Sequence, residues 1–294
     1  MLSILIPTYN FDCSKLVKEL HSQASELSIE FEILVYDDCS KKKHEKNRQL
    51  SDLSNVIYKE LPNNYGRSAI RNLMAEDAKF KYLIFLDCDG EIPSKNFLSL
   101  YYKFKDEADV VCGGRIYPNR DEIKKKYLLH WIYGCKRESQ CNRCDAKSFM
   151  TNNFLINKEV FETTKFDESM IGYGHEDTIF GIELKNKGYS FKIIKNPIIH
   201  IGLYDADDFL KNTRNAIKNL SNIFGKKYNI EEFFDIKLVR VFHLANKLGL
   251  SFALSLFYRL FHKAIEHNLK GKYPNLLLLD AYKLGYFAYI KKKH

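Results

Sequence analysis

The sequence predicts an α/β fold: a mixed, mostly parallel sheet flanked by helices, with a helical extension at the carboxyl end. Three observations predict it. Short apolar runs recur at 2–7, 31–36, 55–61, 82–86 and 109–116, and helical stretches alternate with them. That alternation reads as βαβ units, whose crossovers are right-handed. After residue 205 the strand pattern stops, which divides the chain into an α/β domain at 1–205 and a helical extension at 206–294.

The elements follow in order. Residues 2–7 form a buried strand that ends in Pro7-Thr8-Tyr9-Asn10. Residues 14–28 carry Leu16, Val17, Leu20, Ala24 and Leu27 at helical spacing. The second strand, 31–36, ends in Asp37-Asp38-Cys39-Ser40, and a polar helix leads to a third at 55–61. Residues 64–78 set Ile70, Leu73 and Met74 on one helix face. The fourth strand, 82–86, is apolar enough to be buried on both faces and runs into Asp87-Cys88-Asp89-Gly90. Ser94 is placed to cap the next helix, and 109–116 is the fifth strand. Residues 121–134 pattern as a helix with the only Trp, Trp131. Residues 150–156 return as a strand, and 190–194 and 198–201 are the last two. The remaining helices are expected at 209–224, 233–267 and 273–293.

The chemistry sits at strand ends. In open α/β sheets ligands bind beyond the carboxyl ends of the strands. Asp37-Asp38 and Asp87/Asp89 should therefore share one edge. In an extended segment Asp87 and Asp89 point the same way, and two hard oxygen donors beside a diphosphate suit Mg²⁺ or Mn²⁺. No G-x-G-x-x-G follows the first strand and no G-x-x-x-x-G-K-[ST] occurs, which disfavours dinucleotide and P-loop sites.

The residues also carry a resemblance. Ile6-Pro7-Thr8-Tyr9-Asn10, Val35-Tyr36-Asp37-Asp38-Cys39-Ser40, Asn64-Tyr65-Gly66-Arg67-Ser68-Ala69-Ile70-Arg71-Asn72 and Phe85-Leu86-Asp87-Cys88-Asp89 resemble, in order and spacing, a family 2 glycosyltransferase of the Rossmann-like GT-A fold. The resemblance covers about the first 200 residues. It implies inverting transfer of a hexose or N-acetylhexosamine from a UDP-sugar to a sugar hydroxyl, assisted by Mn²⁺ or Mg²⁺. By position it implies that Asp38 accepts from the uracil N3–H, with Pro7, Thr8 and Tyr9 beside the base. Arg67 and Arg71 would lie near the base or diphosphate. Asp87, with Cys88 next to it, would meet ribose or donor sugar, and Asp89 the metal.

A second constellation is Gly172-Tyr173-Gly174-His175-Glu176-Asp177, a glycine loop entering an amphipathic helix. Acids in a first helical turn are favoured by the helix dipole, so capping is one reading. The other is a general base, which inverting transfer requires. The match to the family's Glu-Asp pair makes Asp177 that base and Glu176 a grip on acceptor hydroxyls. Tyr173 and His175 offer flat faces for sugar stacking. The resemblance also implies His200 as a metal ligand beside Asp89; a satisfied core histidine is the alternative.

Composition bounds the rest. Residues 209–294 hold 16 Lys and Arg against 5 Asp and Glu, whereas 1–208 hold 30 against 32. The net +9 of the chain thus belongs to its tail, away from the acids. That placement disfavours a nucleic-acid-binding protein, and Pro7-Thr8-Tyr9-Asn10 lacks the basic glycine loop expected of a nucleotidyltransferase acting on sugar phosphates. The leucine- and aromatic-rich tail with interspersed Lys and Arg fits an anionic membrane surface, or packing on the catalytic domain or a second copy in a homodimer. The amino-terminal stretch has no leader pattern and no window spans a bilayer, so a cytoplasmic protein, at the inner face of the cell membrane if the tail binds lipid, is expected. The expected acceptor is a glycan or lipid-linked glycan of bacterial surface polysaccharide. Seven scattered cysteines suggest free thiols. Cys135, Cys141 and Cys144 with His130 are the candidate, and disfavoured, zinc set within 117–150, a stretch expected to loop over the acceptor side.

Overall fold

The computed structural model describes residues 1–139, 149–170, 174–223, 233–234 and 236–291. The chain forms two compact units. One comprises Met1–Pro118, Arg137–Met170 and Glu176–Gly202; the other comprises Asn119–Lys136, Ile171–His175 and Leu203–His294.

The strands of the first unit are β1 (Leu2–Thr8), β2 (Phe31–Asp37), β3 (Val56–Glu60), β4 (Tyr82–Leu86), β5 (Gly90–Glu91), β6 (Val110–Cys112), β7 (Arg115–Ile116), β8 (Asn153–Asn157), β9 (Phe191–Ile193) and β10 (Ile198–His200). The chain's helices are α1 (Ser14–Glu26), α2 (Glu45–Arg48), α3 (Gly66–Asp77), α4 (Phe97–Phe104), α5 (Leu128–Tyr133), α6 (Lys158–Thr164), α7 (Glu176–Asn186), α8 (Ala206–Ile223), α9 (Lys237–Lys247), α10 (Ser251–Leu269) and α11 (Leu276–Lys291). A seven-stranded sheet has the order β3-β2-β1-β4-β8-β6-β9, and a small sheet has the order β5-β10-β7. Strand β8 runs antiparallel to both of its neighbours, and every other pair in the large sheet is parallel. The mostly parallel α/β architecture expected from the sequence is the one observed.

Strand β4 shows why the sheet is buried on both faces. Leu83 and Phe85 face one layer, with α3, α6 and α7; Ile84 and Leu86 face the other, with α1 and α4. Phe85 stacks on Phe154 at 4.9 Å and on Phe161 at 5.1 Å between ring centroids. Aromatic pairs at these separations add to the area term.

Several elements depart from the expected ones. The fifth strand splits into β6 and β7 at Gly113-Gly114. Gly114 has φ +86°, and a Cβ on Gly113 would lie 2.4 Å from both Asn153 Nδ2 and Asn196 O. The chain therefore leaves the large sheet there and joins the small one. Ser94 does not cap α4. Its Oγ accepts from the Asn96 N–H (3.2 Å), a turn ahead of the helix. Residues 121–134 yield two 3₁₀ turns and then the short α5, because Lys124-Lys125-Lys126 leaves no apolar stripe to bury. The helix expected over 233–267 breaks at Gly249, φ +72°, where the Leu250 N–H closes on Ala245 O at 2.9 Å. Cys112 is disulfide-bonded, against the reading of free thiols. Cys13, Cys39, Cys88 and Cys135 are free, while Cys141 and Cys144 lie outside the described residues.

The second unit packs α5, α8, α9, α10 and α11. Arg214 donates to Tyr282 Oη (2.7 Å), which donates to Glu266 Oε1 (2.7 Å), tying α8, α11 and α10 together. Gly285 lets α11 approach Tyr258, where a Cβ would sit 3.0 Å from the tyrosine Cβ. Among the described residues no helix is long and apolar enough to cross a membrane.

Phe85→Ala removes a ring shared by three others and should lower folding stability by about 3–5 kcal/mol in urea denaturation. A loss below about 1 kcal/mol would mean that the β4 layer is not packed as described.

Candidate active site

The site is built on the carboxyl ends of β1, β2 and β4 and on two helix starts of the first unit. Strand β4 ends at Leu86, and the next residues turn: the Gly90 N–H reaches Asp87 O at 3.3 Å. The segment is therefore not extended, and the expectation that Asp87 and Asp89 point the same way is corrected. The turn sends Asp87 toward arginines and Asp89 toward a histidine.

Asp87 Oδ1 receives Arg71 Nη2 at 2.8 Å, and Asp87 Oδ2 lies 3.8 Å from Arg115 Nη2. Burial alone would push this carboxyl up. The charges of Arg71, Arg67 and Arg115 outweigh it and hold Asp87 below the usual carboxylate range. The Arg71 side chain is 2 % exposed, so its charge is spent on this pair. Arg67, one helical turn earlier, is 41 % exposed and lies 3.6 Å from Glu176 Oε1.

Asp38 sets where α3 begins. Its Oδ1 accepts from the Tyr65 N–H (2.6 Å) and its Oδ2 from the Gly66 N–H (3.0 Å). Gly66 has φ +81°, which a side chain would strain. Burial raises the Asp38 carboxyl, and the two N–H groups oppose that rise. The Asp38 N–H in turn holds Thr8 O at 2.9 Å, which locks the end of β1 to that of β2. Pro7 sits opposite Tyr36 in this register, Thr8 is buried and Tyr9 is exposed. The Thr8 hydroxyl meets the Cys88 thiol, which burial first and then Asp89 push far above the ordinary value.

Glu176 and Asp177 form the first turn of α7. Asp177 Oδ1 accepts from the Thr178 N–H (2.7 Å) and hydroxyl (3.3 Å). Burial, then the neighbouring Glu176 charge, raises the Asp177 carboxyl to about 7, with Arg71 acting weakly the other way. Asn72 of α3 fixes the approach to this turn. Its amide donates to Phe166 O (2.9 Å) and Glu168 Oε1 (2.8 Å) and accepts from the Phe166 N–H (2.9 Å). Three of the predicted acids are therefore joined through α3: Asp38 at its start, Asp87 to Arg71 and Glu176 to Arg67, with Asp177 next to Glu176 in the same helical turn.

Asp89 and His200 fit a divalent cation. Asp89 Oδ1 is buried and receives no hydrogen bond, and His200 Nδ1 lies 3.3 Å from it. Gly202 leaves room alongside, since a Cβ there would fall 2.1 Å from Asp89 Oδ2. Among the described residues no group of three or more His, Cys, Asp or Glu is placed to hold a metal. Any further ligands would come from substrate oxygens and water.

His175 belongs to the second unit, with φ 72°, and Tyr173 lies outside the described residues. His130 accepts the Tyr204 N–H on Nδ1 (2.9 Å) and stacks on the Tyr204 ring. Sequence reasoning missed Arg115, which bonds Glu138 at 3.0 Å while Tyr117 donates to the same carboxylate. Its one signal was its place just after Gly113-Gly114.

Residues 3–164, more than half the chain, match the family model described as Glycosyl transferase family 2. The chain belongs to glycosyl transferase family 2. Among family 2 relatives, the chondroitin synthase of Escherichia coli is 26% identical over 236 residues, 68% of this chain and 34% of that one. The chondroitin synthase of Pasteurella multocida is 26% identical over 231 residues, 66% of this chain and 24% of that one. The chain thus spans about a third or a quarter of these relatives' length. Among solved structures, S. aureus TarS 1-349 aligns with a TM-score of 0.52 at 17% identity, over 99% of this chain and 91% of that one. Mannosyltransferase PcManGT from Pyrobaculum calidifontis, in complex with GDP-Man and Mn2+, gives 0.62 at 15% identity, over 99% and 86%. These likenesses establish the GT-A fold.

Arg71→Met strands Asp87 without its closest partner and should cost about 3 kcal/mol of folding stability, read by chemical denaturation. Unchanged stability would contradict the pairing.

Proposed function

We propose that the chain is an inverting, metal-assisted transferase that moves a hexose or N-acetylhexosamine from a UDP-sugar to a hydroxyl of a glycan or lipid-linked glycan, in bacterial surface polysaccharide assembly. The observation that carries this reading is the network joining Asp38, Asp87, Glu176 and Asp177 through α3. A UDP-GlcNAc complex of TarS supports the donor class, and the chondroitin synthases support a polysaccharide product.

Asp38 accepts the uracil N3–H on a remaining lone pair, since each carboxylate oxygen has more than one acceptor site. Pro7, Thr8 and Tyr9 flank the base. Arg67, the more exposed arginine, approaches the diphosphate, and Arg71 holds Asp87 against ribose or donor sugar, with Cys88 filling the turn. Asp89 and His200 would hold Mn²⁺ or Mg²⁺, which when bound offsets charge on the leaving nucleotide diphosphate. Asp177 takes the acceptor hydroxyl proton as that oxygen bonds to the anomeric carbon, and the carbon–diphosphate bond breaks on the opposite face. Glu176 holds neighbouring acceptor hydroxyls.

A base must be ionised to work. With Asp177 near 7, its carboxylate grows as pH rises through that value, so kcat/KM should climb from about pH 5, reach half its limit near 7 and level off above about 8. A flat profile over that range would remove Asp177 as the base.

The deciding experiment is a panel of UDP-sugars and GDP-mannose with Mn²⁺, scored for nucleotide diphosphate release. Asp177→Asn should bind UDP as wild type does yet transfer on the order of a thousandfold more slowly. Asp89→Ala should lose the Mn²⁺-dependent part of UDP binding. Normal turnover by Asp177→Asn, or release from GDP-mannose alone, would overturn the respective assignment.

A further inference from the structure

Helices α9 and α10 of the second unit bury one side and leave the other open. Val239, Phe242 and Ala245 of α9, and Ser255, Tyr258 and Ile265 of α10, are buried. Opposite them Leu244, Leu248, Phe252, Leu256, Leu260 and Phe261 are exposed, with Leu248 at 65 %, Phe252 at 60 % and Leu260 at 66 %. Single exposed leucines are ordinary on a protein surface; six large apolar side chains on two consecutive helices and the turn between them mark an interaction surface.

The charges on the same face select the partner. Residues 237–263 contain Lys237, Arg240, Lys247, Arg259 and Lys263 and no Asp or Glu. All five cations are exposed, and none is in an ion pair among the described residues. Arg240, Leu244, Lys247 and Leu248 recur at the spacing of one helix face, and so do Phe252, Leu256, Arg259, Leu260 and Lys263. Cations interleaved with apolar side chains match a bilayer surface, where the stems sink among acyl chains and the charges stay at the headgroups. A second copy is disfavoured, because a two-fold contact would set the same five cations against themselves.

We infer that the exposed face of α9 and α10 docks on an anionic lipid surface, inserting its leucines and phenylalanines while its cations meet headgroup phosphates. This docking does not rest on any active-site assignment.

The test is co-sedimentation of the full chain with vesicles of phosphatidylglycerol and phosphatidylcholine, against vesicles of phosphatidylcholine alone. The chain should partition to the anionic vesicles and be released by salt. Replacing Arg240, Lys247, Arg259 and Lys263 together by Gln should weaken partition by on the order of a hundredfold. Leu248→Glu with Leu260→Glu should abolish it. Both variants change exposed side chains, so an unaltered thermal midpoint controls for folding. Equal binding to neutral and anionic vesicles would overturn the inference, as would no binding at all. So would a wild-type dimer that the Leu→Glu pair converts to monomer without any lipid binding, which would assign the face to a second copy.

Discussion

Everything at the candidate site depends on the pairing of Arg71 with Asp87. A guanidinium that is almost wholly enclosed must find an anion, because an unpaired buried charge is far costlier than a paired one. Arg71 finds Asp87 at the end of the central strand β4, and that contact fixes helix α3 against the sheet edge. With α3 set, its first residues present N–H groups to Asp38, its Arg67 faces Glu176, and its Asn72 holds the loop before α7. One helix thus gathers side chains from three distant parts of the chain.

The same logic separates the two carboxylates of the Asp87-Cys88-Asp89 turn. Asp87 is compensated by cations and sits low in pKa, which suits a permanent acceptor of hydrogen bonds. Asp89 keeps an oxygen with no donor in an enclosed position, which is a standing cost unless a cation occupies it. Asp177 lies at the other extreme, raised by burial and by its neighbour, where a proton can be gained and lost near neutral pH. Three aspartates of the first unit therefore offer three different chemistries, and environment alone distinguishes them.

Much of this was legible in the sequence, for identifiable reasons. Strands buried on both faces read as unbroken apolar runs, so 2–7, 31–36 and 82–86 were plain, and acids directly after such runs had to lie at a sheet edge. Less legible features depended on backbone geometry or on partners far away in sequence. The turn at Asp87–Asp89 is set by a hydrogen bond to Gly90, which residue type alone does not reveal. The split at Gly113-Gly114 arises because Asn153 and Asn196 crowd that point, 40 and more residues downstream. Arg115 was hard to read for the same reason: its partners Asp87 and Glu138 flank it at separations of more than 20 residues, and only the preceding Gly113-Gly114 marked it. In the tail, apolar helical patterning was clear, but only coordinates distinguish the leucines that pack inward from those that do not.

The central claim is that acids from separate loops serve one donor and one cation. The most direct measurement is the anomalous signal of Mn²⁺ in crystals grown with UDP and MnCl₂. A single strong peak is expected between Asp89 and His200, beside the UDP diphosphate, with the uracil against Asp38. A peak elsewhere, or a uracil bound away from Asp38, would contradict it.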